Sequence, residues 1–527
     1  MTRLVPLVVL PALFVAVLFL MRGSSLPFWQ VFNLDPDYYY LLNGLRIVEL
    51  LPPTDVSHPG TPVQVFVALV LRLMHPGQSA AALVEAVLDD PEGHLVAITT
   101  VMYPVVGLAL FWMGRAFAVA TGRLAPALLA QASPFLSMII PKFGLHPKPE
   151  SFLIVAVALL LVAALRAARA EAQSDRHAIW LGLALGFGIA CKVQFVALGL
   201  VPLFLLDRRR LFVVLPPATI VGFLLFVSPA IPSYELWFDW LGRMMMHSGA
   251  YGAGAATVID TGRYPRAVIG LFGSKLIFTV VLVASLVALA GYVRLRRRGL
   301  IAAEPLARLL GGLLCAQVLT VLLTAKQSAA HYMVPALMLT GAELAILFVL
   351  SARVFSASAH VRAWGGLAVV LAGVTVHAVW KQNAELARWT RDAQGFDMGR
   401  FAACARIDFD SSSSLPYAFL RGDLNAQGRY SAKLAGRMPA NAYAWFINDH
   451  TWWRHGFMQW NRRLDIAEVV GSYPCVVFRG SQPYNFRINA SQQLPGFKPD
   501  DTCEVGEETV FTKGIRCDGS PSVPLAN

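Results

Sequence analysis

Apolar runs of about twenty residues, the length that crosses a bilayer as a helix, recur from Leu4 to Trp380 and are separated by short clusters of arginine. In hydrocarbon every backbone N–H and C=O needs an internal partner, so a chain of this pattern packs as a bundle of spanning helices. Composition agrees: of 527 residues, 56% are hydrophobic and only 14% charged, and the mean hydropathy is +0.56, outside the range of an ordinary soluble protein. The net charge of +12 does not read as a nucleic-acid footprint. Its basic residues fall in groups such as Asp207-Arg208-Arg209-Arg210 and Arg294-Leu295-Arg296-Arg297-Arg298 between apolar runs, as cytoplasmic loops do under the positive-inside rule. No nucleic-acid partner is expected.

Leu4 to Met21, following Arg3, reads as a retained signal anchor, because no small-x-small cleavage site follows it. With the N-terminus in the cytoplasm, residues 22–94 form a first outer loop. Within it Val63 to Met74 and Ala80 to Leu88 are too short to cross and read as helices on the outer surface. Crossings at Leu95 to Trp112, Leu124 to Ile140 and Ser151 to Leu165 keep Arg115, Arg123, Arg166, Arg169 and Arg176 inside, in accord with the charge rule. Ala178 to Leu206, about 29 residues between two basic loops, needs an even number of crossings and reads as two short helices meeting near Cys191-Lys192. Five more crossings from Leu211 to about Trp380 bring the expected total to about eleven.

From Lys381 onward the apolar runs shorten and charge rises, and Tyr443 to Ile447, Cys475 to Phe478 and Thr509 to Thr512 alternate like strands. The expected organisation is a mostly α, polytopic transmembrane bundle over 1–380 and an extracytoplasmic α/β domain over 381–527. Of six cysteines, Cys191 and Cys315 lie in apolar spans, and Cys404, Cys475, Cys503 and Cys517 in the C-terminal domain. An even set in an oxidising compartment suggests disulfides with three possible connectivities; Cys503 with Cys517 is favoured because they flank one hairpin-like stretch. Ser411 to Ser414 reads as a loop.

This threading brings Lys142, His146, Lys148, Lys192, Lys326 and His331 to the outer ends of spans, the side of Asp35, Asp37 and His58, where the charge rule disfavours cations. Snorkelling explains a single lysine better than it explains the set. In Asn33-Leu34-Asp35-Pro36-Asp37-Tyr38-Tyr39-Tyr40, Asp35 fits an N-cap, Pro36 the first helical position and Asp37 the positive end of a helix dipole. Beside outer cations the same carboxylates suit general-base chemistry. An Asp takes the proton of an acceptor hydroxyl as a sugar carbon is attacked, while Lys and His meet the charge of a departing phosphate. Tyr38 to Tyr40, with Phe28 and Trp29, suit a headgroup belt or the face of a sugar.

The sequence resembles the GT-C superfamily of integral membrane glycosyltransferases, the class of the protein O-mannosyltransferases and lipid A aminoarabinose transferases. The resemblance is carried, in order, by Asp35 and Asp37, by His58-Pro59-Gly60, by Leu145-His146-Pro147-Lys148-Pro149-Glu150 at the head of a span, by Gly182 to Lys192, and by Lys326 with His331-Tyr332-Met333-Val334-Pro335. It implies inverting transfer from a polyprenyl-phosphate sugar donor to a lipid, glycan or protein acceptor at the outer face of a bacterial inner membrane, with the C-terminal domain in the periplasm or outside. It makes Asp37 or Asp35 the base, Asp37 preferred for its helix-start position beside Tyr38. Lys192, Lys326 and His331 become donor-phosphate contacts, and His58, His146, Lys148, Glu150 and Tyr38 further substrate-site residues. Some relatives use a divalent metal ion; the acids and histidines here supply enough ligands without a recognised metal spacing. The C-terminal domain matches no acceptor-binding module. The rival reading is a polytopic transporter or flippase for a lipid-linked or anionic substrate. Transporters usually carry internal repeats and midplane charges, whereas these charges gather at one face.

Overall fold

The computed structural model describes residues 5–25, 27–30, 36–447 and 456–522; Asp35 lies outside these. Eight helices among them are long and apolar enough to cross a membrane: Pro6–Gly23, Pro91–Thr121, Pro149–Arg169, Arg209–Met246, Leu276–Arg297, Pro305–Ala325, Ala330–Ser351 and Ala357–Phe401. The three other expected crossings fall on interrupted or shorter helices. Leu124 to Ile140 is not one helix: Leu124–Gln131 ends before a 3-10 turn at Ser133–Phe135, and Ile139–Gly144 follows. Pro134 and Pro141 lack the N–H a continuous helix needs, and Gly341 of a neighbouring span lies against Ser133 and the Leu129 carbonyl at the break. Ala178 to Leu206 breaks where expected. Helix Asp175–Cys191 ends at an extended Lys192, and the chain resumes as a 3-10 segment Val193–Gly199 and a short helix Leu200–Leu205.

That break is stitched to the first loop. The Val193 N–H donates to the His58 carbonyl at 2.9 Å, and the Gly60 N–H to the Cys191 carbonyl at 3.3 Å. Helix Asp175–Cys191 also packs backbone to backbone on Arg209–Val227: a Cβ at Gly182 would collide with Ala218 and the Leu215 carbonyl, and one at Gly186 with the backbone of Thr219 and Phe223. Small residues one turn apart permit this approach where no hydrophobic drive joins helices.

The first loop holds helices Tyr38–Val48, Thr61–Met74 and Ala80–Asp89, with Gly44 of the first against Val67 of the second. The last long helix, Ala357–Gly395, runs through the domain boundary expected at residue 381. The physical reason is local: hydropathy falls after Trp380, but Lys381 to Gln394 contains neither Pro nor Gly, so nothing stops the helix until Gly395.

Beyond it lies one seven-stranded sheet of β1 (Ala405–Phe409), β2 (Ala442–Phe446), β3 (Gly456–Gln459), β4 (Arg462–Arg463), β5 (Val476–Gly480), β6 (Asp501–Val505) and β7 (Glu508–Lys513), in the order β4-β3-β2-β1-β5-β7-β6. The central β2, β1 and β5 are parallel, with Ile407 in register with Tyr443 and Phe478. They are buried along nearly their whole length, as parallel strands covered on both faces are. Disulfides join Cys404 to Cys475 and Cys503 to Cys517.

The crossover helix after β1, Leu415–Asn425, docks directly on helix Tyr38–Val48. Phe419 meets the Tyr38 ring edge-on at 4.8 Å, and Gly422 lets the two backbones approach. The end of this helix is held by the loop: Thr54 Oγ1 donates to the Asn425 carbonyl at 2.6 Å and Arg46 Nη1 to the Ala426 carbonyl at 3.0 Å. Farther out, Arg437 Nη2 reaches Glu85 at 2.6 Å and Arg437 Nε reaches Asp89 at 2.8 Å.

Candidate active site

Asp37 occupies the N-cap position of helix Tyr38–Val48, yet its side chain makes no capping hydrogen bond. The carboxylate turns instead to His146, whose Nδ1 lies 2.7 Å from Asp37 Oδ2. Both residues are buried, and among the described residues Asp37 Oδ1 has no hydrogen-bond partner. His146 sits in the turn ahead of span Pro149–Arg169, and that turn is fixed from two sides. Tyr103 Oη donates to the Leu145 carbonyl at 2.7 Å, and Ser151 Oγ donates to the His146 carbonyl at 3.1 Å.

Burial works to raise the Asp37 carboxyl, but His146, Lys148 and Arg22 outweigh it and hold the group below the usual carboxylate range. Burial likewise lowers His146, by more than Asp37 raises it. Asp37 is therefore the acceptor of the pair. Because the carboxylate only accepts, Nδ1 carries the imidazole proton and donates.

A second cluster adjoins the first. Glu150, in the opening turn of the Pro149–Arg169 span, forms a buried ion pair with Lys192 at the broken helix. His331 Nε2 lies 4.0 Å from Glu150 Oε1, and Lys192 Nζ stands over the Tyr332 ring at 4.5 Å. His58 packs edge-on against Trp240 at 5.7 Å and Tyr332 at 6.0 Å. Burial there, with Lys192 close by, pushes its imidazole well below the ordinary histidine range. Lys148, itself buried, bears electrostatically on Asp37, His146, His58 and Glu150 alike, so it stands between the clusters.

Of the residues singled out from sequence, Asp37, His58, His146, Lys148, Glu150, Lys192 and His331 thus converge, with Tyr38 at the edge: its hydroxyl donates to Glu92 Oε1 at 2.8 Å. Lys326 is placed differently. Its Nζ donates to the Met245 carbonyl at 2.9 Å, and among the described residues it shares no ion pair or hydrogen bond with the cluster. Asp35 lies outside the described residues.

Three participants escaped sequence reasoning. Arg22 ends the first span and acts on Asp37; as a basic residue at an outer span end it carried the same signal as the lysines. Glu92 accepts from the Phe28 N–H at 2.6 Å and from Tyr38, and in sequence looks like an ordinary first-turn acid. Trp240 is brought to His58 by a long connection that no local pattern announces. For a divalent ion the fit is poor: among the described residues, no three His, Cys, Asp or Glu side chains converge as a ligand set would.

No protein-family model and no curated protein matches the chain. Among solved structures it is similar to the crystal structure of ArnT from Cupriavidus metallidurans bound to undecaprenyl phosphate, with 14% of residues identical, 95% of this chain and 97% of that chain covered, and a TM-score of 0.45.

Proposed function

We propose that the chain is a membrane glycosyltransferase of the GT-C type that moves a sugar from a polyprenyl-phosphate donor to a lipid, glycan or protein acceptor at the outer face of a bacterial inner membrane. The observation that carries this reading is the Asp37 carboxylate: buried, held below the usual carboxylate range by His146 and the cations Lys148 and Arg22, and with one oxygen that has no partner among the described residues. A buried acceptor of that kind, at the mouth of a bundle of apolar helices, suits removal of a proton from an acceptor hydroxyl.

In this reading Asp37 takes the hydroxyl proton as the hydroxyl oxygen bonds to the sugar's anomeric carbon from the face opposite the phosphate. The bond from that carbon to the phosphate oxygen breaks, its electron pair leaves with the polyprenyl phosphate, and configuration inverts. Lys148 and Lys192 are preplaced to meet the charge gathering on the leaving group, with His331 as a further contact. His146 is a positioning residue: its Nδ1–H fixes the carboxylate's orientation. Asp35 and Lys326 stay in the proposal as sequence-derived site residues.

The test is transfer of radiolabelled sugar from a panel of polyprenyl-phosphate donors by membranes carrying the wild type or Asp37→Asn, with protein amounts matched by blot. The expected result is donor-dependent transfer by the wild type and a loss of about 10²- to 10⁴-fold in the variant, the usual worth of a general base. A well-expressed Asp37→Asn protein with full activity would remove Asp37 from the mechanism, and absence of transfer from every donor would favour the transporter reading.

A further inference from the structure

At the end of the bundle away from Asp37, two turns border an open surface cavity of about 370 Å³. One turn precedes helix Asp175–Cys191 and the other precedes helix Arg209–Val227. Because Lys192 caps the far end of the first of these helices, 17 residues long, the cavity lies about 25 Å from the cluster around Asp37 and Lys192 at 1.5 Å per residue.

The cavity is a built feature. Its floor is Gln173, buried, whose amide N–H groups donate to the carbonyls of Ala167 at 3.1 Å and Leu205 at 2.9 Å and whose Oε1 accepts from the Asp207 N–H at 3.1 Å. One side chain thus ties the turn after Ala167 to the stretch from Leu205 to Asp207. The wall carries Arg176, Arg208 and Arg210. Arg210 is neutralised by Asp175, Nη2 to Oδ2 2.6 Å; among the described residues, Arg176 and Arg208 have no ion pair or side-chain hydrogen bond. Both helices begin here, so their positive dipole ends add to these two guanidinium groups, although the exposed Asp207 adjoins Arg208. Guanidinium forks match phosphate oxygens in geometry and charge. A short way into the same helices, Ile179, Trp180 and Val213 are exposed, offering apolar surface where acyl chains would run.

We propose that this cavity binds the phosphate of an anionic phospholipid headgroup, held by Arg176 and Arg208 with the acyl chains along the outside of the two helices. Inorganic phosphate shares the headgroup's chemistry, and the exposed apolar side chains beside the mouth favour the lipid. The proposal is independent of any transfer chemistry at Asp37.

The test uses the full chain purified in a neutral detergent. Native mass spectrometry with added phosphatidylglycerol or phosphatidylcholine is compared for the wild type and R176Q/R208Q, and thermal unfolding is followed with phosphatidylglycerol or inorganic phosphate. Expected are a phosphatidylglycerol-bound fraction about five-fold above phosphatidylcholine for the wild type, and loss of that preference in the variant, as for removal of charge-assisted phosphate contacts. The lipid-free melting temperature should not change. If the double variant fails to fold, Arg208→Gln alone, an exposed side chain, is expected to lower the preference in the same direction. Equal retention of both lipids by the wild type, or an unchanged preference in a folded variant, overturns the proposal. Protection by inorganic phosphate equal to that by phosphatidylglycerol would overturn the lipid as ligand and assign the cavity to free phosphate.

Discussion

Asp37 stands where a helix cap would, yet its side chain is not used as one. Its place at a helix start fits a cap, but its oxygens are turned away from the helix and toward His146. If His146 is what holds the carboxylate ionised and aimed, His146→Ala should move the acidic limb of the rate–pH profile to higher pH. In the wild type the charge of Asp37 is kept below the ordinary carboxylate range. Stability and activity that depend on that charge are therefore present above the ordinary carboxylate pKa and are lost only as pH falls through the depressed folded value. Without His146, burial dominates and that loss begins at higher pH; His146→Asn, which keeps a donor, should restore part of the shift. Steady-state transfer across a pH series reads this, and coincident profiles would remove the positioning role. The neighbouring pair behaves differently. Glu150→Gln leaves Lys192 buried without its counter-charge and should cost about 3–5 kcal/mol, whereas E150L/K192M should recover most of that stability and none of the activity. Thermal unfolding in detergent, beside the transfer assay, separates the two effects.

Between elements, contact is set by the smallest side chains. Gly186 touches the backbone of the Arg209–Val227 helix, so Gly186→Leu must drive two spans apart and should destabilise the protein by at least the 1–3 kcal/mol, roughly, of ordinary overpacking. A lowered melting temperature with secondary structure retained is the expected reading. Elements of this kind show where sequence was informative. The helical bundle with its C-terminal sheet domain follows from hydropathy and alternation. The break at Lys192 follows from a segment too short for two full crossings between basic loops, and helices Thr61–Met74 and Ala80–Asp89 from amphipathic runs too short to span. Two features were missed. The interruption near Ser133 had a local signal in Pro134 and Pro141, and Gly341, over 200 residues away, packs against it. Continuation of the last long helix past Trp380 reflects local propensity after hydropathy has faded. In the site, charge on the outer side singled out His146, Lys148, Lys192 and His331, and the resemblance added Glu150; the same charge criterion included Lys326, whose Nζ donates to the Met245 carbonyl. Trp240 carried no signal because aromatic residues near span ends are ordinary.

Across the whole molecule, charge sorts the two ends of the bundle. Span Pro149–Arg169 starts at Glu150 in the candidate site and ends, about 30 Å away at helical rise, at Arg169, which together with Arg353 surrounds the buried Glu304. The same far end gathers Arg176, Arg208 to Arg210 and Arg294 to Arg298, while the sheet domain sits at the other end on helix Tyr38–Val48, against the site. The positive-inside rule predicts an orientation, with the arginine-rich end toward the cytoplasm and Asp37 and the sheet domain outward. Two exposed positions report this directly, Glu468 in the sheet domain and Arg298 at the basic end. In a background with Cys191 and Cys315 replaced by Ala, the remaining four cysteines are paired in disulfides, so a single new thiol can be followed. A membrane-impermeant maleimide added to intact spheroplasts should label Glu468→Cys and spare Arg298→Cys until the membrane is opened. The reverse pattern would put Asp37 on the cytoplasmic side, where a sugar donor presented at the outer face could not reach it, and the proposed reaction would fail with the orientation.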